Sequence, residues 1–339
     1  MLKNIRCFTV FALFCFCSFS LNAKAQDKTD EDVIKVDTNL VTVPVIVSDR
    51  QNRYIAGLKA ENFTVFKDGQ KQNIEYFIAE ESPINVAILL DTSRSTEQVL
   101  DKIQKAALEF VKQLKPNDRC LIISFDFEVN VLSELTNDRE KLKKTIKNAE
   151  IGERFGTVLH DAVYQAVNKS FAGVKGRKAV ILLTDGKDFG SFTGRDELLY
   201  KLEESDTLVY SIFYETGLMR RRMMPRRFPN PNRRGGGGGG IWRRGRNPDV
   251  VRSRTERSNE DAVDFLQEMA DLTAGRLYQK KVTDLSEAFE AITEELRKQY
   301  LIGFYPENVE GGKNYQIKVR VDRNDAVVRS KNAFRVKGN

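Results

Sequence analysis

Five oxygen-bearing side chains, Asp91, Ser93, Ser95, Thr157 and Asp185, sit where apolar runs give way to polar loops and helical patterns. Asp91-Thr92-Ser93-Arg94-Ser95-Thr96 follows the run "INVAILL", Thr184-Asp185-Gly186 follows "KAVILL", and Thr157 lies within "RFGTVLHDA". Capping is the ordinary use of such residues, and Ser95 with Gln98 has the spacing of a capping box. One helix start needs one cap, so the surplus hydroxyls ask for another cause. Hard oxygens with no thiol among them suit Mg²⁺ or Ca²⁺ better than zinc.

The elements that must position these residues are legible in the apolar pattern. From Ile84 the chain alternates strand and helix. "INVAILL", "RCLIISF", "KAVILLTD" and "TLVYSIFY" are buried strands, and "VNVLSEL" is a shorter antiparallel edge strand. Between them run helices with aligned apolar faces, such as Ile103, Ala107, Phe110 and Val111, or Leu159, Ala162, Val163, Ala166 and Val167. This order predicts an α/β fold: a doubly wound, mostly parallel sheet with helices on both faces. Ligands in such sheets bind at the carboxyl ends of the strands, where the five residues fall.

Both flanks read as β structure. In "LVTVPVIV", Val41, Val43, Val45 and Val47 share a face, and Pro44 suggests an edge strand. Asp68-Gly69 in "FTVFKDGQKQNIEYFI" supplies a hairpin turn. At the other end "YLIGFYP", "YQIKVRV" and "AVVRS" read as a meander. Each flank lacks a partner for its apolar face, so the two are expected to pack together as a small β-sandwich. The expected divisions are a leader at 1–25, a loose segment at 26–37, a β unit at 38–82, the α/β domain at 84–299 and a β unit at 300–339.

The pattern Asp91-x-Ser93-x-Ser95, then Thr157, then Asp185 followed by Gly186, resembles the metal-ion-dependent adhesion site of von Willebrand factor A domains. The flanking segments "GLKAENFTVFKDGQKQNIEYF" and "YLIGFYP…YQIKVRV…VVRSKNAFRV" resemble the bacterial subgroup of VWFA-related domain proteins. The resemblance implies that Ser93, Ser95 and Thr157 hold a divalent cation through hydroxyls. It implies that Asp91 and Asp185 add charge, in part through bridging water. Mg²⁺ is the expected ion, with Ca²⁺ or Mn²⁺ as alternatives. A cation held by few carboxylates keeps positive charge and an open position for a partner's carboxylate, so a protein presenting an acidic residue is the expected partner.

Composition sets the context. Lys3 and Arg6 precede the apolar run "CFTVFALFCFCSFSL", and Ala23-Lys24-Ala25 has the small-x-small form of a cleavage site. This predicts export, to the periplasm or cell surface, with cleavage after Ala25. Cys7, Cys15 and Cys17 lie in that leader, which leaves Cys120 as a buried thiol in a central strand. The net charge of +7 is unevenly spread: residues 216–257 carry +11 and the leader +3, so the remaining body is acidic, near −7. That argues against a nucleic-acid binder. The stretch 216–257, with 13 Arg, a hexaglycine and Trp242, is expected to be disordered and to offer an anionic partner a basic arm.

Catalysis finds little support in the sequence. His160 is the only histidine, no nucleophile pairs with it in a recognisable motif, and a solvent-facing or capping role is expected. Asp126 and Glu128 read as loop charges. A phosphoryl-accepting role for Asp91 would need a second carboxylate close behind it, where Ser93 and Arg94 stand instead. The expectation is therefore a binding module without an enzymatic activity. A structural envelope protein braced by its metal is the alternative, and a Mg²⁺-dependent hydrolase the remote one.

Overall fold

The computed structural model describes residues 40–79, 82–215 and 248–336, with backbone alone for 248–258. The N-terminal flank comprises β1 (Val41–Asp49), β2 (Phe63–Lys67), β3 (Gln70–Gln72) and β4 (Tyr76–Ile78). The central domain begins with β5 (Ile84–Asp91), α1 (Leu100–Gln113), β6 (Arg119–Phe125), β7 (Val129–Thr136), α2 (Arg139–Lys147) and α3 (Leu159–Tyr164). It continues with β8 (Arg177–Thr184), α4 (Arg195–Glu204), β9 (Leu208–Phe213), α5 (Pro248–Thr273), β10 (Arg276–Gln279) and α6 (Leu285–Arg297). The C-terminal flank holds β11 (Tyr300–Phe304), β12 (Asn314–Val321), β13 (Ala326–Ser330) and β14 (Ala333–Arg335).

The central sheet has the order β10-β9-β8-β5-β6-β7. Its neighbours are parallel except for the edge pair β6–β7, which is antiparallel. Every residue of β5 and β8 is buried, because helices cover both faces. Val86, Ile88 and Leu90 pack toward α1, α2 and α6, while Ala87 and Leu89 pack toward α3, α4 and α5. Burying one Leu or Ile side chain fully stabilises by ~1.5–3 kcal/mol, so these two layers dominate the fold. The chain turns to one side of β5 for β6 and to the other for β8. The reversal leaves a crevice at the carboxyl ends of β5 and β8, where Asp91 and Asp185 emerge.

The flanks form two four-stranded sheets, β13-β1-β11-β4 and β14-β12-β2-β3, each mixing N- and C-terminal strands. Val43, Val45 and Val47 meet Ile302, Phe304, Tyr315, Ile317 and Phe334 between the sheets. Asp68 and Gly69 both take positive φ (48° and 83°), as the β2–β3 turn requires. Ile46, on the other face of β1, joins the core shared by α1 and α6, which seats the sandwich on the central domain.

Three sequence expectations are corrected. β1 is a central strand, not an edge; Pro44 is tolerated because β13 pairs only from Val45 onward, leaving β11 as the neighbour beside Pro44. The C-terminal strands are not a meander, since β11 and β13 flank β1 while β12 lies in the opposite sheet. Residues 248–257, expected to be disordered, belong to α5, with Pro248 at its first position, where a missing N–H is harmless. The rest of that stretch, including Trp242, and the whole leader lie outside the described residues. No helix among the described residues is long and apolar enough to cross a membrane.

Candidate metal centre

Asp91 closes β5 with its side chain fully buried. Its Oδ1 accepts from the Ser93 hydroxyl at 2.5 Å and the Ser93 amide at 3.0 Å, and its Oδ2 accepts from the Thr184 hydroxyl at 2.9 Å. Ser93 Oγ lies 3.0 Å from Ser95 Oγ. Burial, and then the negative charge of nearby Asp185, raise the Asp91 carboxyl to about 7, against the lowering by its Ser93 and Thr184 hydrogen bonds. Two carboxylates thus share one dry crevice with three hydroxyls. The Lys187 ammonium reaches Asp185 Oδ2 at 3.1 Å from the rim.

The hydroxyls of "DTSRST" divide into two sets. Thr92 donates to the Phe125 carbonyl and to Asp126 Oδ2, both at 3.2 Å, and Thr96 donates to the carbonyls of Asp91 and Ser93 at 2.9 and 2.7 Å. These two tie the loop down. Ser93 bonds Asp91 instead and Ser95 lies against Ser93, and neither side chain caps a helix, so the capping-box reading of Ser95 and Gln98 fails. No side chain of this stretch caps a helix, so capping does not explain the crowding.

Thr157 is buried on the loop between α2 and α3. Its backbone exchanges two hydrogen bonds with Phe189, on the loop that follows Asp185, at 3.1 and 2.7 Å. It does not open a helix, because α3 starts at Leu159 with Val158 before it. The same loop is joined to the Asp91 loop by Gly152 N–H to Thr92 C=O at 3.0 Å. All three loops bearing the five residues are therefore knitted at one end of the sheet. Gly186 takes φ +78°, and a Cβ there would meet Ala262 of α5 at 2.9 Å, so glycine is what lets the Asp185 loop lie against α5.

Other residues were misread or overlooked in the sequence. Asp126 is buried, accepting from Thr92 and from the Phe127 amide at 2.6 Å; a Cβ on Gly152 would stand 2.4 Å from its Cγ. It is a brace, not a surface charge. His160 is not solvent-facing: its side chain is 13% exposed, with Nδ1 3.2 Å from the Thr193 carbonyl and its ring 4.7 Å from that of Phe265. Thr184 stood beside Asp185 in the sequence, and its hydroxyl–carboxylate bond across two strands has no local signature. Tyr214 is fully buried, its acidity suppressed by burial and then by the charges of Asp91 and Asp185, and its hydroxyl has no hydrogen-bond partner among the described residues. Cys120 is buried and its thiol raised far above the usual range by desolvation, which makes it inert.

No group of three or more His, Cys, Asp or Glu side chains able to hold a metal occurs among the described residues. A cation here would rest on hydroxyls as well as carboxylates. The residues fit one: octahedral Mg²⁺ with oxygens at ~2.1 Å places adjacent ligands about 3 Å apart, and the Ser93 and Ser95 oxygens are 3.0 Å apart.

Residues 86–187, which hold all five side chains, match the family model of the von Willebrand factor type A domain. This part of the chain is a von Willebrand factor type A domain. A relative in Synechocystis sp., an uncharacterized protein, is 27% identical to the chain over 112 residues, 31% of this chain and 26% of the relative. The chain thus spans about a quarter of that relative's length. Among solved structures, the chain is similar to an aerotolerance-related membrane protein from Bacteroides fragilis (22% identity, TM-score 0.45, covering 63% of this chain and 99% of the other). It is also similar to proximal thread matrix protein 1 of the mussel byssus, whose MIDAS motif is occupied by zinc in that crystal (17% identity, TM-score 0.43, 63% and 48%).

Proposed function

We propose that this chain is an exported, non-catalytic binding module whose A domain captures a partner protein's carboxylate through a divalent cation, Mg²⁺ in the first instance. The reading is carried by the fully buried Asp91, which shares its crevice with a second carboxylate and with the hydroxyls of Ser93, Ser95 and Thr184. Like charges in a dry site repel, and a cation relieves the repulsion. Ser93, Ser95 and Thr157 would hold the ion, with Asp91 and Asp185 contributing charge. Hydroxyl ligands neutralise little of an ion's charge, so it would retain affinity for one more anionic oxygen. By analogy with extracellular calcium modules, the empty site would bind its ion at about 10⁻⁴–10⁻³ M, and metal and partner would bind cooperatively.

The leader at 1–25 supports export to the periplasm or cell surface. The basic stretch 216–257 leaves from the carboxyl end of β9, a parallel strand of the central sheet, and would steer an acidic partner toward the A domain.

The deciding experiment is capture of partner proteins by the full mature chain with Mg²⁺ or with chelator, beside an Asp91→Ala control. Capture lost in both controls supports the proposal. Melting that depends on metal while capture does not would assign the ion to bracing the fold alone.

A further inference from the structure

Among the described residues, most exposed phenylalanines stand on the loops that carry the candidate metal centre. Phe127, Phe155, Phe189 and Phe192 are 40%, 71%, 76% and 98% exposed. Scattered apolar residues on a surface are ordinary, but a cluster of large ones around one site marks an interaction surface. Phe127 follows Asp126, Phe155 lies two residues before Thr157, Phe189 pairs with Thr157 through its backbone, and Phe192 lies three residues further on.

These loops are held rigidly in their outward display. Asp126 accepts the Phe127 amide, and Asp161 accepts the amides of Phe192 and Thr193 at 2.9 and 2.8 Å. Asp188 accepts the His160 amide at 3.1 Å and the Ser191 hydroxyl at 2.5 Å. Two of the rings are also cationic platforms: the Arg94 guanidinium lies 4.3 Å from the Phe155 centroid and that of Arg154 lies 3.7 Å from the Phe127 centroid. Pre-organised aromatic and arginine side chains are the usual anchors of protein interfaces.

The charge around the rim selects among partners. Glu97, Glu128, Glu150 and Glu153 are exposed on the same loops. The exposed Arg94 and Arg154 stand among these carboxylates, so the rim is a mosaic of both signs; a uniformly anionic lipid surface would meet the four carboxylates unfavourably, whereas a polypeptide can answer each charge in turn. We propose that this rim recognises a protein segment in which one acidic residue is bracketed by apolar side chains, with basic residues further out. This rests on the carboxylate-binding function proposed above and names the sequence class it would select. The acidic residue would meet the metal centre and the two arginines, the apolar side chains the phenylalanines, and the basic residues the outer glutamates.

The test pans a displayed library of random 12-residue peptides against the full mature chain in Mn²⁺, with elution first by chelator and then by acid. The expected peptides carry Asp or Glu with apolar residues within two positions on either side. The affinity of the best peptide, resynthesised, should fall at least tenfold in the double variant Phe189→Ser/Phe192→Ser, with Mn²⁺ affinity unchanged. Both side chains point to solvent, so the variant should fold, and its thermal unfolding checks this. Acidic peptides without apolar neighbours, or a loss under twofold in the double variant, would overturn the aromatic-rim proposal and leave the carboxylate function standing. Peptides that survive chelator and the Asp91→Ala change would overturn both. Metal-independent sedimentation with phosphatidylserine vesicles, abolished by the same double variant, would overturn it in favour of a membrane surface.

Discussion

Two buried carboxylates in this protein have opposite surroundings. Glu295, on α6, is fully buried and accepts from the hydroxyls of Tyr210 at 2.6 Å and Tyr54 at 3.0 Å. It also pairs with Arg276 at 3.3 Å and with Arg329 of β13. Asp91 is as deeply buried, yet its close partners are hydroxyls, an amide and a second carboxylate. The first has its counter-charges built into the chain and joins α6 and β9 to the sandwich. The second lies where a mobile ion can supply the charge. Buried carboxylates alone therefore do not mark a binding site; what surrounds them does.

That contrast can be broken most sharply at Glu295. Glu295→Leu should destabilise the protein by about 3 kcal/mol, because two phenols and two guanidiniums lose their common acceptor, and Mg²⁺ should not restore it. Denaturant unfolding measures both. Asp91→Asn should act in the opposite direction, stabilising the metal-free protein at pH 8 by on the order of 1–2 kcal/mol through relief of charge repulsion. The same variant should lose all stabilisation by Mg²⁺, which for the native chain is about 2.7 kcal/mol at a hundredfold excess over Kd.

The pH dependence follows from the raised Asp91 acidity. A group whose folded pKa lies above its unfolded value stabilises the protein when protonated. Its contribution is present below the unfolded value of 3.8 and is lost as pH rises through about 7. Metal-free stability should therefore carry a downward component from Asp91 between about pH 4 and 7, absent in Asp91→Asn, and metal binding in that window should release a proton. Calorimetric titration in two buffers of different ionisation enthalpy detects the proton. The smallest effects should separate the two sets of hydroxyls. Thr96→Val should cost about 1 kcal/mol in stability, since two buried carbonyls lose their donor. Ser95→Ala should change metal-free stability by less than about 0.5 kcal/mol while weakening Mn²⁺ binding.

Much of the central sheet was legible because burial on both faces writes long apolar runs. "RCLIISF" and the strand beginning at Leu208 match their observed elements almost residue for residue. Asp91, Ser93, Ser95, Thr157 and Asp185 could be picked out as candidates because each follows or precedes such a run. Thr184, Tyr214 and Asp126 were not, since their roles arise from contacts between strands and loops distant in sequence. Pro44 misled because the rule for proline concerns the hydrogen-bond partner at one residue, not the rank of the whole strand. The charge of 216–257 hid the start of α5 at Pro248, because arginine-rich sequence reads as solvated whether or not it is helical.

The sandwich interleaves the two ends of the chain: β1 lies between β11 and β13, and β2 beside β12. During synthesis its first four strands emerge well before their partners, with the whole A domain made in between. At ~5–20 residues per second that is a delay of some ten to fifty seconds. For that time Val43, Val45 and Val47 have no sheet to face and are open to chaperones or aggregation. A chain truncated between α6 and β14 would retain a complete central sheet but a permanently open flank, so loss of the last few dozen residues should be read out as insolubility before it is read out as loss of metal binding.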